Sequence, residues 1–345
     1  MTINIGANIR INKLGLCLFI IFLIILYLYA IRESPYLAKN NNRDFVSLKK
    51  LLATSIRAAE LGGLEIVNVY KKSKVSVTIK GKTKENVDDP VTTADYKSHC
   101  AMYSYLSTLF PSMTVISEEH SVGCDSQLAT DVNIFDTTIL EQIDIRYDVA
   151  VDVEDITVWI DPLDATKEFT ENLLEYVTTM VCVAIKGVPM IGVIHKPFEP
   201  QQTYWAWVHH GVSNNLMNLL KPKSNDPPVL IVSRSHAGKV HNISKTALGD
   251  DVRIISAAGA GYKSLEVAVG NATAYIHVTA IKKWDICAGA AIISSLDGVV
   301  TSLSGKPMTD FGSIDAVVLE NGLLATISNH KWYLDRFAGS PIAEG

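Results

Sequence analysis

The chain has 345 residues, 48% of them hydrophobic, which is enough apolar content for a large buried core and too much for a disordered polymer. A net charge of −5 removes the sequence-independent attraction that dominates nucleic-acid binding, so no nucleic-acid partner is expected. Five cysteines at irregular spacings form no zinc-binding pattern.

Residues 1–13 are a short N-terminal tail. Residues 14–31, LGLCLFIIFLIILYLYAI, are an uncharged apolar run just long enough to cross a bilayer as a helix. The run continues into Tyr27, Leu28 and Tyr29 rather than a small-residue cleavage site, so it is expected to be an uncleaved transmembrane anchor. Arg10 and Lys13 precede it, while Arg32 follows beside Glu33. That slight positive excess predicts a single-pass type II topology, with the N-terminus cytoplasmic and the remainder in a secretory lumen. The acceptor triplets Asn242-Ile243-Ser244 and Asn271-Ala272-Thr273 agree with that placement. A lumen permits disulfides, but Cys182 and Cys287 lie in apolar segments and read as buried thiols, and no pairing is assigned.

Residues 32–43 are polar enough for a stalk, and the folded domain is expected over 44–345. Asp44 can cap a long amphipathic helix with Phe45, Leu48, Leu51, Leu52, Ile56 and Ala59 on its apolar positions. The Lys-rich run 71–84 reads as a solvated turn. A second helix follows Asp95, with Cys100, Tyr103 and Leu106 on one stripe, and Pro111 ends it before the strand-like MTVIS. The acidic loop 121–155 reads as a solvated surface insertion. ITVWI, 156–160, is β-branched and aromatic and predicts a buried strand that Pro162 stops, with a helix beginning in KEFTENLLEY. TTMVCVAIKG and MIGVIHKP predict strands joined through a short Gly-Val-Pro turn, and TYWAWV extends an antiparallel sheet. VLIVS, VRIIS and ATAYIHV then alternate with helical segments near 238–248 and 260–269, and 284–296 reads as another helix. This alternation implies a layered α/β fold.

Several element ends carry acids. Asp161 and Asp164 sit at the carboxyl end of a strand, where ligands of layered α/β folds collect. Glu118 and Glu119 follow MTVIS, and Asp285 opens a helix. Glu118, Asp161, Asp164 and Asp285 would supply hard oxygen ligands, joined by the Leu163 carbonyl that a Pro-initiated turn exposes, so magnesium is the natural ion. Without cations such a group would be driven to protonate. There is no Cys-x5-Arg, Asp-x-Asp or Arg-His-Gly signature for a covalent phosphatase and no Walker loop, which leaves metal-activated water.

In order, Asp89-Pro90-Val91-Thr92-Thr93-Ala94-Asp95, Glu118-Glu119, Asp161-Pro162-Leu163-Asp164-Ala165-Thr166 and Trp284-Asp285-Ile286-Cys287-Ala288-Gly289 resemble the motifs of the inositol monophosphatase superfamily. The resemblance covers roughly residues 44–335. It implies a layered α-β-α-β-α sugar-phosphatase fold and a lithium-sensitive phosphoric monoester hydrolase with two or three Mg2+ ions. It also implies that Asp95 and Thr166 orient and deprotonate the attacking water, that Glu119 assists, and that the amides of Ala165 and Thr166 hold phosphate. Members often form homodimers.

Ser233-Arg234-Ser235-His236 and Gly259-Ala260-Gly261-Tyr262-Lys263 are similar to the nucleotidase branch of that superfamily. This implies nucleotide binding by Ser233, His236, Gly259 and Lys263, with Asp285 close to both metal and substrate. Joined to a membrane anchor, the motifs imply hydrolysis of adenosine 3′,5′-bisphosphate to AMP and phosphate on the lumenal side of the Golgi membrane. The Asp89-Pro90-Val91 start is shared with the inositol phosphatase pattern, so an inositol phosphate phosphatase is the alternative. A catalytically silent nucleotide-binding membrane protein is the alternative of another class, although every expected acid is present.

Overall fold

The computed structural model describes residues 3–4, 10–11, 19–25, 44–72, 77–82, 88–120, 124, 135–222, 227–234, 237–312 and 317–338. Of the expected transmembrane run 14–31 only 19–25 are described, as helix with exposed side chains. The rest of that run and the stalk 32–43 lie outside the described residues. Among the described residues no helix is long and apolar enough to cross a membrane.

In chain order the main elements are helix α1 (Leu48–Lys71), strands β1 (Val77–Lys82) and β2 (Asp88–Thr92), helix α2 (Thr93–Leu109) and strand β3 (Thr114–Ser117). Next come β4 (Ile156–Asp164), α3 (Thr166–Thr170), β5 (Thr178–Ile185), β6 (Val188–Lys196), β7 (Gln202–Trp207) and β8 (Gly211–Val212). The last part comprises β9 (Val229–Ser233), α4 (Ala237–Leu248), β10 (Arg253–Ala257), α5 (Ala260–Ala268), β11 (Ala274–His277), α6 (Lys283–Ser295), β12 (Val299–Thr301), β13 (Leu323–Thr326) and α7 (His330–Phe337). A six-stranded sheet has the order β8-β7-β6-β5-β4-β3, antiparallel except for the parallel β3–β4 pair. A five-stranded sheet has the order β10-β9-β11-β13-β12, with β9 parallel to both its neighbours.

Strand periodicity sorts side chains into five layers. On β4, Val158 and Ile160 face one way and pack with Leu51, Leu52 and Ile56 of α1 and Met102 and Leu106 of α2. Trp159 faces the other way, into a core shared with Leu265 of α5 and Ile286 and Ile292 of α6. Ile231 of β9 joins this inner core, whereas Leu230 and Val232 turn outward to Val240 of α4 and Phe337 of α7. The order is therefore α1/α2, six strands, α5/α6, five strands, α4/α7, the α-β-α-β-α layering expected. Because helices cover both of its faces, β4 is buried along its whole length and shows no apolar–polar alternation.

Several local expectations need correction. Helix α1 begins at Leu48 and is capped by Ser47, whose hydroxyl accepts from Lys50 N, rather than by Asp44. Helix α2 starts before Asp95, not after it, because Thr92 and Asp95 form a reciprocal capping box. Part of the Lys-rich 71–84 run is strand β1, paired with β2. The β5–β6 turn is Lys186-Gly187, both at positive φ, with Val188 and Pro189 already in the strand. The described part of 121–155 is anchored rather than merely solvated: Ile143 and Ile145 are buried against α1, and Asp148 accepts from Ser47 Oγ and Lys49 N. Cysteines join as Cys100–Cys124 and Cys182–Cys287, so the latter two are not the plain thiols their apolar surroundings suggested.

Pro162 does not stop β4. Asp161 pairs with Met180 and Asp164 with Thr178, so three steps along β4 match two along β5 and one extra residue bulges out. In a regular strand residues three apart point to opposite faces. The bulge brings Asp161 and Asp164 onto the same face, the inner one shared with α5 and α6. The missing proline N–H sits where the ladder is broken, Pro162 O accepts from Ser98 Oγ at 2.6 Å, and Leu163 N donates to Asp161 Oδ1 at 3.2 Å.

Candidate active site

Parallel register brings Glu118 beside Asp161. Ser117 of β3 aligns with Ile160 of β4, and Glu118 N donates to Ile160 O, so the residues that follow come level. Asp285 arrives from the first turn of α6, where its Oδ2 accepts from Lys282 N at 3.0 Å. One oxygen from each of Glu118, Asp161 and Asp285 lies within 4.8 Å of the others. Three hard oxygen donors converging on one small space fit magnesium.

The electrostatics of this group fit a cation as well. Burial, then Glu118, Asp164 and Asp285, hold the Asp161 carboxyl well above the usual carboxylate range. Burial and Glu118 push Asp285 up to about 8, with Lys282 opposing. The Lys282 ammonium lies 3.3 Å from Glu118 Oε1. Carboxylates that resist ionisation when crowded are the ones a bound cation relieves.

Asp164, expected beside these three, is held differently. Its Oδ1 accepts from Ala260 N at 3.1 Å, and its Oδ2 from Gly261 N at 2.8 Å and Thr178 Oγ1 at 3.1 Å. Gly259 has φ +68°, and a Cβ there would lie 2.7 Å from Tyr176 O and 2.9 Å from Asp164 Oδ2. At Gly261 a Cβ would lie 2.5 Å from Thr178 Oγ1. The glycines thus allow α5 to start directly against Asp164, so the close backbone approach read from the sequence is made to this carboxylate. Burial raises the Asp164 pKa, opposed chiefly by Lys263.

Asp95 and Thr166 meet across the site. Thr166 Oγ1 donates to Asp95 Oδ1 at 2.9 Å and approaches the Leu163 carbonyl at 3.0 Å. Thr92 supplies its amide at 2.8 Å and its hydroxyl at 2.6 Å to Asp95 Oδ2. The carboxylate is 1% exposed, and burial pushes its pKa up to about 6 against these hydrogen bonds. Ala165 adopts φ +68° at the start of α3. Glu119 follows Glu118 with its amide on Ser117 Oγ.

The expected substrate residues sit on the second sheet's side. Ser233 Oγ lies 3.2 Å from His277 Nδ1. Lys263 is 3% exposed, with Nζ 5.1 Å from the Tyr275 ring centre. Burial pulls its pKa down to about 8 while Asp164, Glu168 and Asp285 oppose. His236 lies outside the described residues. Sequence reasoning missed Thr92, Thr178, Lys282 and His277. Only Thr92 carried a usable signal, the Thr-x-x-Asp spacing of a capping box.

Residues 47–337 match the profile of the inositol monophosphatase family. Inositol monophosphatase 3 of Xenopus tropicalis is 46% identical over 291 residues, 82% of this chain and 79% of that protein. The Golgi-resident adenosine 3',5'-bisphosphate 3'-phosphatase of Mus musculus is 43% identical over 293 residues, 83% of this chain and 80% of that protein. The crystal structure of extragenic suppressor protein suhB from Bartonella henselae matches with a TM-score of 0.62 at 18% identity, over 84% of this chain and 99% of that one, a likeness of fold.

Proposed function

The chain belongs to the inositol monophosphatase family, and from that premise we propose that this phosphoric monoester hydrolase removes the 3′-phosphate of adenosine 3′,5′-bisphosphate, giving AMP and phosphate. What supports the chemistry is the meeting of the Glu118–Asp161–Asp285 cluster with the Thr166–Asp95 pair. What supports the substrate is the carboxyl end of β9 with Ser233 and the first turn of α5 with Lys263, together with the relative named for that reaction. Two or three magnesium ions, held by Glu118, Asp161 and Asp285 with Asp164 and the Leu163 carbonyl adjoining, would neutralise phosphate oxygens and acidify water.

The chain's own residues then handle the proton. Thr166 Oγ1 donates to Asp95, which leaves its lone pairs to orient a water by accepting from it. As the water oxygen bonds to phosphorus, its proton passes through Thr166 Oγ1 to Asp95 Oδ1, whose pKa of about 6 suits a base near neutrality. The P–O3′ bond breaks, the nucleoside oxygen takes up a proton from solvent water, AMP departs, and Asp95 returns its proton to solvent. Comparing kcat/KM of the full-length protein in detergent on adenosine 3′,5′-bisphosphate and on inositol 1-phosphate tests the assignment. A clear preference for the bisphosphate is expected, and preference for the inositol ester would overturn it.

Location follows the same reasoning, with an uncleaved anchor over 14–31 and the enzyme domain in the Golgi lumen. Two disulfides support it, since such bonds persist in oxidising compartments. Protection of the domain from protease in sealed Golgi vesicles is the expected result, and digestion without detergent would put the domain on the cytoplasmic side instead.

Metal dependence has a stability signature. Asp285 at about 8 and Asp95 at about 6 are both raised above the unfolded value, so the metal-free folded state binds protons more tightly than the unfolded chain. Stability therefore falls as pH rises toward 8. His99 and His195, both lowered to about 4 by burial, act in the opposite sense only below about 6.5. In EDTA, Tm should fall between about pH 6.5 and 7.5, and saturating magnesium should raise Tm most at the upper end. A metal-free Tm that climbs over this window, or ignores magnesium, would contradict the assigned cluster.

A further inference from the structure

Arg234 is the charged member of the Ser-Arg-Ser-His turn, and the proposed reaction gives it no role. It follows Ser233 at the carboxyl end of β9, in the five-stranded sheet. Its side chain reaches the short helix that Thr166 opens beside the six-stranded sheet. Nη1 lies 3.1 Å from Glu168 Oε1 and 3.4 Å from Glu171 Oε2. Glu168 is two residues beyond Thr166, only 12% exposed in its side chain, and close enough to feel Asp164 and to be felt by Lys263. The guanidinium thus stands one carboxylate away from the reaction centre, on the rim that joins the two sheets.

Two features separate this arrangement from an ordinary surface ion pair. Both contacts use Nη1, whereas Nε and Nη2 have no partner among the described residues. The Arg234 side chain is still 40% exposed, so its remaining donors are open to an incoming group. The Arg234–Glu171 pair is half-exposed on both sides and contributes little to stability, so this second carboxylate serves chiefly to fix the direction of the guanidinium. A guanidinium fixed along one side keeps a planar pair of donors along another, matched to the oxygens of a phosphate monoester. Lys282 lies on Glu118, so its ammonium is committed to the acidic cluster, and Lys263 is almost wholly buried beside Asp164, on the side of the phosphate that is cut.

We infer that Arg234, preset by Glu168 and Glu171, is the specificity residue that binds the phosphate the enzyme does not cut. This rests on the proposed reaction, whose substrate carries one phosphate to the acidic cluster and a second along the same ribose. Arg234 takes the second. It makes the site prefer a bisphosphate over any monoester that offers only the scissile group.

The test uses the full-length protein in detergent with magnesium, as wild type, Arg234→Ala and Arg234→Lys, on adenosine 3′,5′-bisphosphate and on 3′-AMP. The readout is the ratio of kcat/KM for the two substrates. Wild type should favour the bisphosphate, Arg234→Ala should reduce that preference by about ten- to a hundredfold through KM, and Arg234→Lys should fall between, keeping the charge without the fork. Equal losses on both substrates would reduce Arg234 to a brace for α3, and an unchanged ratio would remove it from recognition; either overturns the inference. A wild type that cleaves both nucleotides, with a ratio insensitive to Arg234, refutes this inference alone. A wild type that cleaves neither refutes the nucleotidase assignment beneath it.

Discussion

Asp161→Asn is expected to lower kcat by roughly a thousandfold or more. Asp161 is 1% exposed and is one of the three carboxylates that share a 4.8 Å space. Asparagine keeps the volume and an oxygen for Leu163 N, so the bulge survives while the anionic ligand is lost. The same change relieves crowding, because the native carboxyl is already held far above its ordinary pKa by burial and by Glu118. In EDTA the variant should therefore unfold at a higher temperature than the parent while releasing almost no phosphate with magnesium present. Phosphate release and thermal unfolding on one preparation check both directions. Activity within tenfold of wild type would remove Asp161 from the metal site.

The second large effect belongs to Asp95. Asp95→Asn should reduce kcat by about 10²–10⁴-fold with KM little changed, the usual range for loss of a positioned base. Thr166→Ala should do the same by deleting the hydroxyl between water and carboxylate. Because the two form one relay, the double variant should be little slower than the worse single variant. Wild-type kcat should also fall as pH drops through about 6, where Asp95 takes up a proton and can no longer accept another. Additive losses would mean that the two residues serve separate steps. Asparagine is the informative replacement, because alanine would also remove half of the capping box of α2, a loss worth about 1 kcal/mol in its own right.

The layers and the acids were legible in the sequence because both depend on local pattern. ITVWI and TTMVCVAI read as strands from their β-branched content, and Asp161, Glu118 and Asp285 stand at element ends where any fold of this class would gather them. What stayed hidden depends on register and on partners distant in the chain. Proline at 162 reads as a strand stop, yet a strand can cross proline where a bulge has already opened the ladder. The glycines at 259 and 261 signal a close approach without saying to what, and it is Asp164 that they admit. Cys182 and Cys287 lie 105 residues apart, and no spacing rule pairs them. The acidic segment before β4 looked solvated because its charges are plain, whereas Ile143 and Ile145, which anchor it, are two residues among many polar ones.

The extra residue in β4 has a consequence for how this site can change over time. Asp161 and Asp164 share a face only because the count between them is odd by one against β5. Side chains at 162 and 163 could be exchanged one at a time with the face of each acid preserved. A regular pleat at the present spacing would swing the second carboxylate toward α1, away from Gly261 and Thr178, whereas a chain shorter by a single residue would set the acids two apart and keep both on one face. The face of the second acid is thus tied to the bulge rather than to the letters at 162 and 163. Substitutions that leave the bulge in place explore this catalytic centre gradually, but one that irons it out removes the second acid from it in a single step.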